Sequence, residues 1–256
     1  MIFLLNQMKM KMLNENYLNI LDEEEDTPLY RIFSWTRLLE TFCKNKLALV
    51  RPSKWDDPFE NYFLKKTEAI QDNDNKRKFY SAHKNSLYGQ CWSLHGETDA
   101  MWRIYSPDKN GVKVKTTIGK LLEELQIHTS LKKFCFIGKV EYFKEEIILD
   151  RFDEYKNLFN EPEKDFINLA KSLLLKRVEF NHEREVRLIH YHTWINGAND
   201  VISFEVDPIL LFDEIVFDPR MSDLEYEEHK YFLQSKFNYE RPIKKSQLYT
   251  LPDLNV

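Results

Sequence analysis

The chain has 256 residues, 43% of them hydrophobic and 14% aromatic, and a formal net charge of −5. That is enough apolar sequence for a sizeable core, and the acidic balance gives no overall field that would draw the protein onto nucleic acid or an anionic membrane. Three scattered cysteines, Cys43, Cys91 and Cys135, lack zinc-site spacing and point to a reducing compartment, so a cytoplasmic protein is expected. The six glycines are too far apart for a Walker loop or a dinucleotide fingerprint, so any nucleotide must be held by side chains.

In chain order, Met1 to Leu5 is apolar but too short for a signal-peptide core. No later window approaches the ~20 apolar residues of a membrane span. Residues 1–26 end in the acidic run Asp22 to Asp26 and read as a mobile tail, with a single domain over 27–256. Leu29 to Trp35 alternates as a strand and leads into a short helix over Thr36 to Lys44; Lys46 to Val50 is a second strand. Arg51 to Glu60 is turn-rich, and polar helical sequence follows to about residue 86. Leu87 to Ser93 is a strand, Thr98 to Tyr105 a capped helix, Gly111 to Thr116 a strand, and 118–125 a helix. Lys133 to Phe143 alternates as one long strand, and a helix spans Glu163 to Glu179.

The stretch 182–191 then reads as a strand that places Glu183, Glu185 and Arg187 on one face, because side chains two apart share a face. Val201 to Val206 and Glu214 to Phe217 are strands. Ser222 and Glu225 have capping-box spacing at the head of a helix to Phe237, and Ser246 to Thr250 is a closing strand. Strands and helices intermingle without a βαβ rhythm. The fold expected is a single α+β domain with a mixed, mostly antiparallel sheet and interspersed helices.

Three constellations stand out: Tyr30-Arg31, Cys91-Trp92-Ser93 and Glu183-x-Glu185. With Trp55-Asp56-Asp57-Pro58-Phe59-Glu60, Met101-Trp102-x-x-Tyr105, Gly111-Val112 and Arg187, they make the chain resemble, from Leu29 to about Tyr249, the bacterial family catalogued as domain of unknown function 2971. More distantly, Arg on an early strand, Ser on a middle strand and Glu-x-Glu on a late one is similar to the Arg-Ser-Glu pattern of ADP-ribosyltransferases. Those enzymes bind NAD without a glycine-rich loop. The Ser-Thr-Ser usual after their middle strand is absent here, where Ser93 is followed by Leu94-His95-Gly96.

That resemblance implies NAD as substrate, no metal, and a place in phage defence. It implies that Glu185 stabilises oxocarbenium charge as the nicotinamide–ribose bond breaks, that Glu183 orients the acceptor, and that Arg31 meets a phosphate or ribose. Ser93 would contact the nicotinamide ribose or support Glu185, and Tyr30, Trp92, Trp102, Tyr105 and Arg187 would complete the nucleotide site. From the residues alone two other readings stay open. Arg31, Glu183, Glu185 and Arg187 balance as a buried ion network in a non-catalytic binding domain. Alternatively, Asp57 or Glu60 joins Glu183 and Glu185 around magnesium in a nuclease, although Arg187 cannot serve as a deprotonated base.

Overall fold

A computed structural model of the chain describes residues 15–21, 24–61, 83, 85–129, 131–158, 162–192 and 199–251. The polar helical sequence expected before residue 86 lies almost wholly outside them. The strands are β1 (Tyr17–Leu18), β2 (Pro28–Ser34), β3 (Lys46–Val50), β4 (Leu87–Ser93), β5 (Gly111–Thr117), β6 (Cys135–Lys139), β7 (Glu141–Phe143), β8 (Leu175–Arg177), β9 (Glu185–Tyr191), β10 (Val201–Glu205), β11 (Glu214–Phe217) and β12 (Ile243–Lys245). The helices used below are α1 (Trp35–Lys44), α2 (Asp99–Tyr105), α3 (Ile118–Ile127), α4 (Glu145–Leu158), α5 (Pro162–Ser172), α6 (Pro208–Leu211) and α7 (Asp223–Phe237).

The main sheet runs β1-β6-β9-β4-β2-β5-β11-β12, with β3 joining β4 to β10, and its pairings are antiparallel except β1 with β6 and β11 with β12. This is the α+β arrangement with a mixed, mostly antiparallel sheet that the sequence predicts. Alternation along β9 divides the core. Val186 and Leu188 enter one apolar cluster with Leu29, Leu38, Val114, Leu122 and Phe212, whereas Ile189 and Tyr191 enter another with Phe136, Leu169 and Leu174. Glu185 and Arg187 share the face of Ile189 and Tyr191, so they stand at the end of the second core, beneath the segment that follows α5.

Several helix ends agree with their sequence signals. Thr98 Oγ1 accepts from the Met101 N–H at the head of α2, and Ser222 and Glu225 form the capping box of α7. Three expectations are corrected. Lys133 to Phe143 is broken at Val140 into β6 and β7, which belong to different sheets. The helix drawn to Glu179 stops at Ser172, and Leu175–Arg177 pairs with β7 in a small parallel sheet. The last strand is Ile243–Lys245 rather than 246–250. Each of the observed pieces is only three to five residues long, too short for periodicity to fix its type or its ends. In the segment before residue 27, Tyr17 and Leu18 pair with Ile137 and Gly138 of β6. Gly138 lets the strands approach closely there, since a Cβ would come within 2.4 Å of a Leu174 methyl and force it to shift.

Candidate functional site

The sheet forks at β4, which pairs with β2 only at Tyr30–Ser93 and with β3 only at Val50–Gly89. At the β2 end of the fork, Tyr30, Ser93 and Glu185 form one row across β2, β4 and β9. The divergence of β2 and β4 leaves strand carbonyls without ladder partners. Arg31 answers one of them, donating from Nη1 to the Cys91 carbonyl.

The opening is a cleft of about 420 Å³, part of it open to solvent, lined by Arg31, Cys91, Ser93, Tyr105, Glu183 and Glu185 among others. A second lobe of about 270 Å³ shares Tyr30, Arg31, Ser93 and Met101 with it and continues to His95, Trp102 and Lys113. Helix α2 forms the wall of both lobes. It is held by Asp218, which is fully buried: Ser106 Oγ donates to Asp218 at 2.5 Å, and Arg220 bonds Asp218 while also reaching the carbonyls of Trp102 and Ser106.

The acids gather around a cation that the sequence reading missed. Lys176 Nζ contacts Glu60 at 2.8 Å and Glu185 at 3.3 Å and also bonds Glu183. Arg187, with no exposed surface, donates to Glu185 at 2.6 Å and Glu60 at 2.8 Å. Its other Nη donates to the Leu173 carbonyl at 2.5 Å, and Trp55 stacks on the guanidinium with its ring centroid 4.5 Å away. The Trp55-to-Glu60 motif thus supplies a ring and a carboxylate to this cluster. Lys176 was hidden because it sat in a segment read as helix. Only the pairing of β8 with β7 turns it toward the acids.

Glu183 corrects the strand expected over 182–191. It ends the 3-10 turn Val178–Glu183, and Arg184 follows in the left-handed region at φ 42° before β9 begins. Glu183 and Glu185 still converge, but through a turn and through Lys176 rather than by strand alternation. Asp57 lies apart: it accepts from the Phe59 N–H at 3.0 Å and pairs with Arg177 at 3.1 Å. Glu60, Glu183 and Glu185 enclose Lys176, and among the described residues no His, Cys, Asp and Glu group has the arrangement to hold a metal ion.

Electrostatics separate the groups sharply. Burial acts to raise the pKa of Glu185, but Arg187 and Lys176 outweigh it and hold the carboxyl below its ordinary value. Burial likewise works against the charge of Lys176, yet Glu185 and Glu60 prevail and raise its pKa. The Cys91 thiol hydrogen-bonds Glu185, and burial pushes its pKa far up, so it is no nucleophile. Arg31 differs from all of these. Burial lowers its pKa against the pull of Cys91, Tyr105 and Glu185, its Nε is buried without a partner, and it makes no ion pair among the described residues.

The remaining predicted residues take these places. Ser93 Oγ donates to the Glu183 carbonyl at 2.7 Å and accepts from the His95 N–H at 3.0 Å, so it fixes the turn that carries Glu183. Tyr105, 43% exposed, donates to Glu183 at 3.3 Å from the cleft wall. Trp92 and Trp102 are 2% and 1% exposed and donate from Nε1 to Gln90 and Glu97. They back the cleft as core residues rather than offering open faces.

The profile of a family described as "Protein of unknown function (DUF2971)" matches residues 101–188, so the family resemblance read from the sequence holds over roughly a third of the chain. No curated protein matches. Solved structures similar to this chain include Thermus sp. 2.9 DarT in complex with carba-NAD+, at 13% identity and a TM-score of 0.37, covering 86% of this chain and 95% of that one. The same protein in complex with NAD+ scores 0.38 at 12% identity, covering 87% and 96%. Such values mark a distant likeness. No helix among the described residues is long and apolar enough to cross a membrane.

Proposed function

We propose that the cleft binds NAD and that the protein breaks its nicotinamide–ribose bond, passing ADP-ribose to an acceptor or to water, in the manner of ADP-ribosyltransferase-like enzymes. The observation that carries this reading is the presence, in one cleft, of a carboxylate held ionised and a guanidinium with no ion pair among the described residues: Glu185 and Arg31. As the bond breaks, its electron pair leaves with nicotinamide and positive charge develops on the ribose. A fixed, preorganised carboxylate stabilises that charge without reorganising. Glu185 meets the requirement, since Arg187 and Lys176 both hold its Oε2 while its side chain lines the cleft. Arg31 offers a planar fork of donors for a phosphate oxygen. Glu183, linked to Tyr105, would orient the incoming acceptor, and Tyr30 would flank the ligand.

The test is NAD turnover and NAD-induced thermal stabilisation in the parent, Glu185→Gln and Arg31→Met. Glu185→Gln should still bind NAD while losing on the order of 10²-fold or more in rate, the scale of losing one charge-stabilising group. Arg31→Met should lose the NAD-induced rise in melting temperature, which in the parent corresponds to about 2.7 kcal/mol at a hundred times Kd. Unchanged turnover in Glu185→Gln removes the proposal.

A second reading has an observation of its own. Glu60, Glu183, Glu185, Lys176 and Arg187 are all 7% exposed or less and satisfy one another, as a non-catalytic ion network would. That reading expects no response to NAD in any variant.

A further inference from the structure

The two lobes of the cleft differ in charge. The charged side chains lining the first are Glu183, Glu185 and Arg31, whereas the second is lined by Arg31, Lys113 and Glu97, together with the His95 imidazole. Arg31 belongs to both. The cleft therefore runs from an acidic end at Glu185 to a basic end at Lys113.

Lys113 is held where few lysines are held. It lies within β5, between Ile32 of β2 and Val216 of β11, and only 7% of its surface is exposed. Its Nζ donates to the Gly96 carbonyl and stands 5.6 Å from the centre of the Tyr30 ring and 5.7 Å from that of Trp102. The Glu97 carboxylate, 3.8 Å away, is beyond hydrogen-bond distance, and its Oε1 already accepts from Trp102 Nε1 at 2.8 Å. An ammonium has three donors, and only one of these finds an acceptor among the described residues. Burial, with Lys244, outweighs the pull of Glu97 and Glu214 on this group and lowers its pKa, as expected of a charge short of counter-charge. A surface lysine would turn its spare donors to water. This one is fixed by the sheet beside the second lobe, where an acceptor entering the lobe would complete it.

We propose that Arg31 and Lys113 together bind a diphosphate, one cation to each phosphate, and that the second lobe is the subsite for the phosphate farther from the bond that breaks. The proposal deepens the reading of the cleft as an NAD site and rests on it for the identity of the ligand. NAD joins its halves through a diphosphate, so a molecule whose ribose meets Glu185 lays that anionic centre toward the basic end. Lys113 is then a specificity-determining residue, favouring ligands with two linked phosphates over ligands with one.

The experiment is calorimetric titration of the full chain with ADP and AMP, which contain no nicotinamide–ribose bond, for the parent, Lys113→Met and Glu97→Gln. The parent should bind ADP about tenfold more tightly than AMP, the scale of one added charge-assisted hydrogen bond. Lys113→Met should bring ADP down to the affinity of AMP. Glu97→Gln keeps an acceptor for Trp102 and removes the acid of the second lobe, so ADP should bind about fivefold or more tightly than it does to the parent. Because that variant leaves Lys113 in place, it decides the matter if Lys113→Met does not fold.

ADP binding no tighter than AMP in the parent overturns the proposal, and so does the absence of a gain in Glu97→Gln. A lysine that merely holds the Gly96 loop would change the affinity for both ligands alike, so a preference for ADP that persists in Lys113→Met also overturns it. The two readings fail separately. NAD turnover that depends on Glu185, without a preference for ADP, removes only the subsite; a Lys113-dependent preference without NAD turnover removes only the cleavage.

Discussion

Two groups of charges meet in the cleft, and they are built on opposite principles. The cluster of Glu60, Glu183, Glu185, Lys176 and Arg187 is closed: each carboxylate touches a cation, and each cation touches at least two carboxylates. Arg31, just across the fork, has its Nη1 on a backbone carbonyl and its Nε on nothing. Burying a charge is tolerable when it is paired and hydrogen-bonded, so the first group can hold the fold, while the second keeps capacity for a ligand. Glu185 belongs to both, since its carboxyl is anchored in the closed group and lines the open cleft.

The comparison breaks most visibly at Arg187. Arg187→Met removes the central cation and leaves Glu60 and Glu185 buried against Lys176 alone, for which a loss of about 3–5 kcal/mol is expected in urea unfolding. A loss below about 1 kcal/mol, the range of exposed pairs, would mean that water enters the cluster and that it is not closed.

Protonation probes the same strand with a similar magnitude. His190 follows Arg187 on β9, and burial, with a smaller contribution from His192, lowers its pKa to about 4. The unfolded chain takes up this proton below a pKa of about 6.5, whereas the folded chain resists it until about 4. Stability is therefore full above pH 6.5 and falls between pH 6.5 and 4, by about 3 kcal/mol at 1.36 kcal/mol per unit. Glu185, whose pKa is depressed, adds a further loss as the pH drops below its ordinary value of 4.5. Unfolding free energy measured from pH 8 to 4 should show the first loss, and His190→Gln should flatten it.

Glu185→Gln should be milder than Arg187→Met, at about 1–3 kcal/mol, because the amide keeps an oxygen for Arg187 while part of the donor set goes unanswered. Chemical unfolding next to the turnover assay separates this cost from the loss of rate. The smallest effect is expected at Arg31. Arg31→Met removes a half-buried charge that has no ion partner among the described residues, so stability should stay within about 1 kcal/mol of the parent or rise, even as ligand response is lost. A fall as large as that of Arg187→Met would show that Arg31 belongs to the closed group after all.

Much of this was legible along the chain where local rules decide. The alternation of β2 and β5, the Thr98 cap and the Ser222–Glu225 box follow from periods and side-chain hydrogen bonds that span a few residues. Composition already required side chains rather than a glycine loop to hold a nucleotide, and the residues singled out as Tyr30, Arg31, Ser93, Tyr105, Glu183 and Glu185 do line one cleft.

What only the tertiary structure decided depends on contacts far apart in sequence. Which cation answers Glu185 is settled by Lys176 arriving on a strand that forms only because β7 is beside it, and Glu60 reaches Arg187 across 127 positions. Trp102 and Tyr105 share one short helix, yet the first is core, donating to Glu97, and the second is 43% exposed at the cleft wall, donating to Glu183. Sequence fixes the kinds of charge available. Their pairing follows from burial, where a low dielectric makes every unanswered group expensive and the packed backbone determines which partners are within reach.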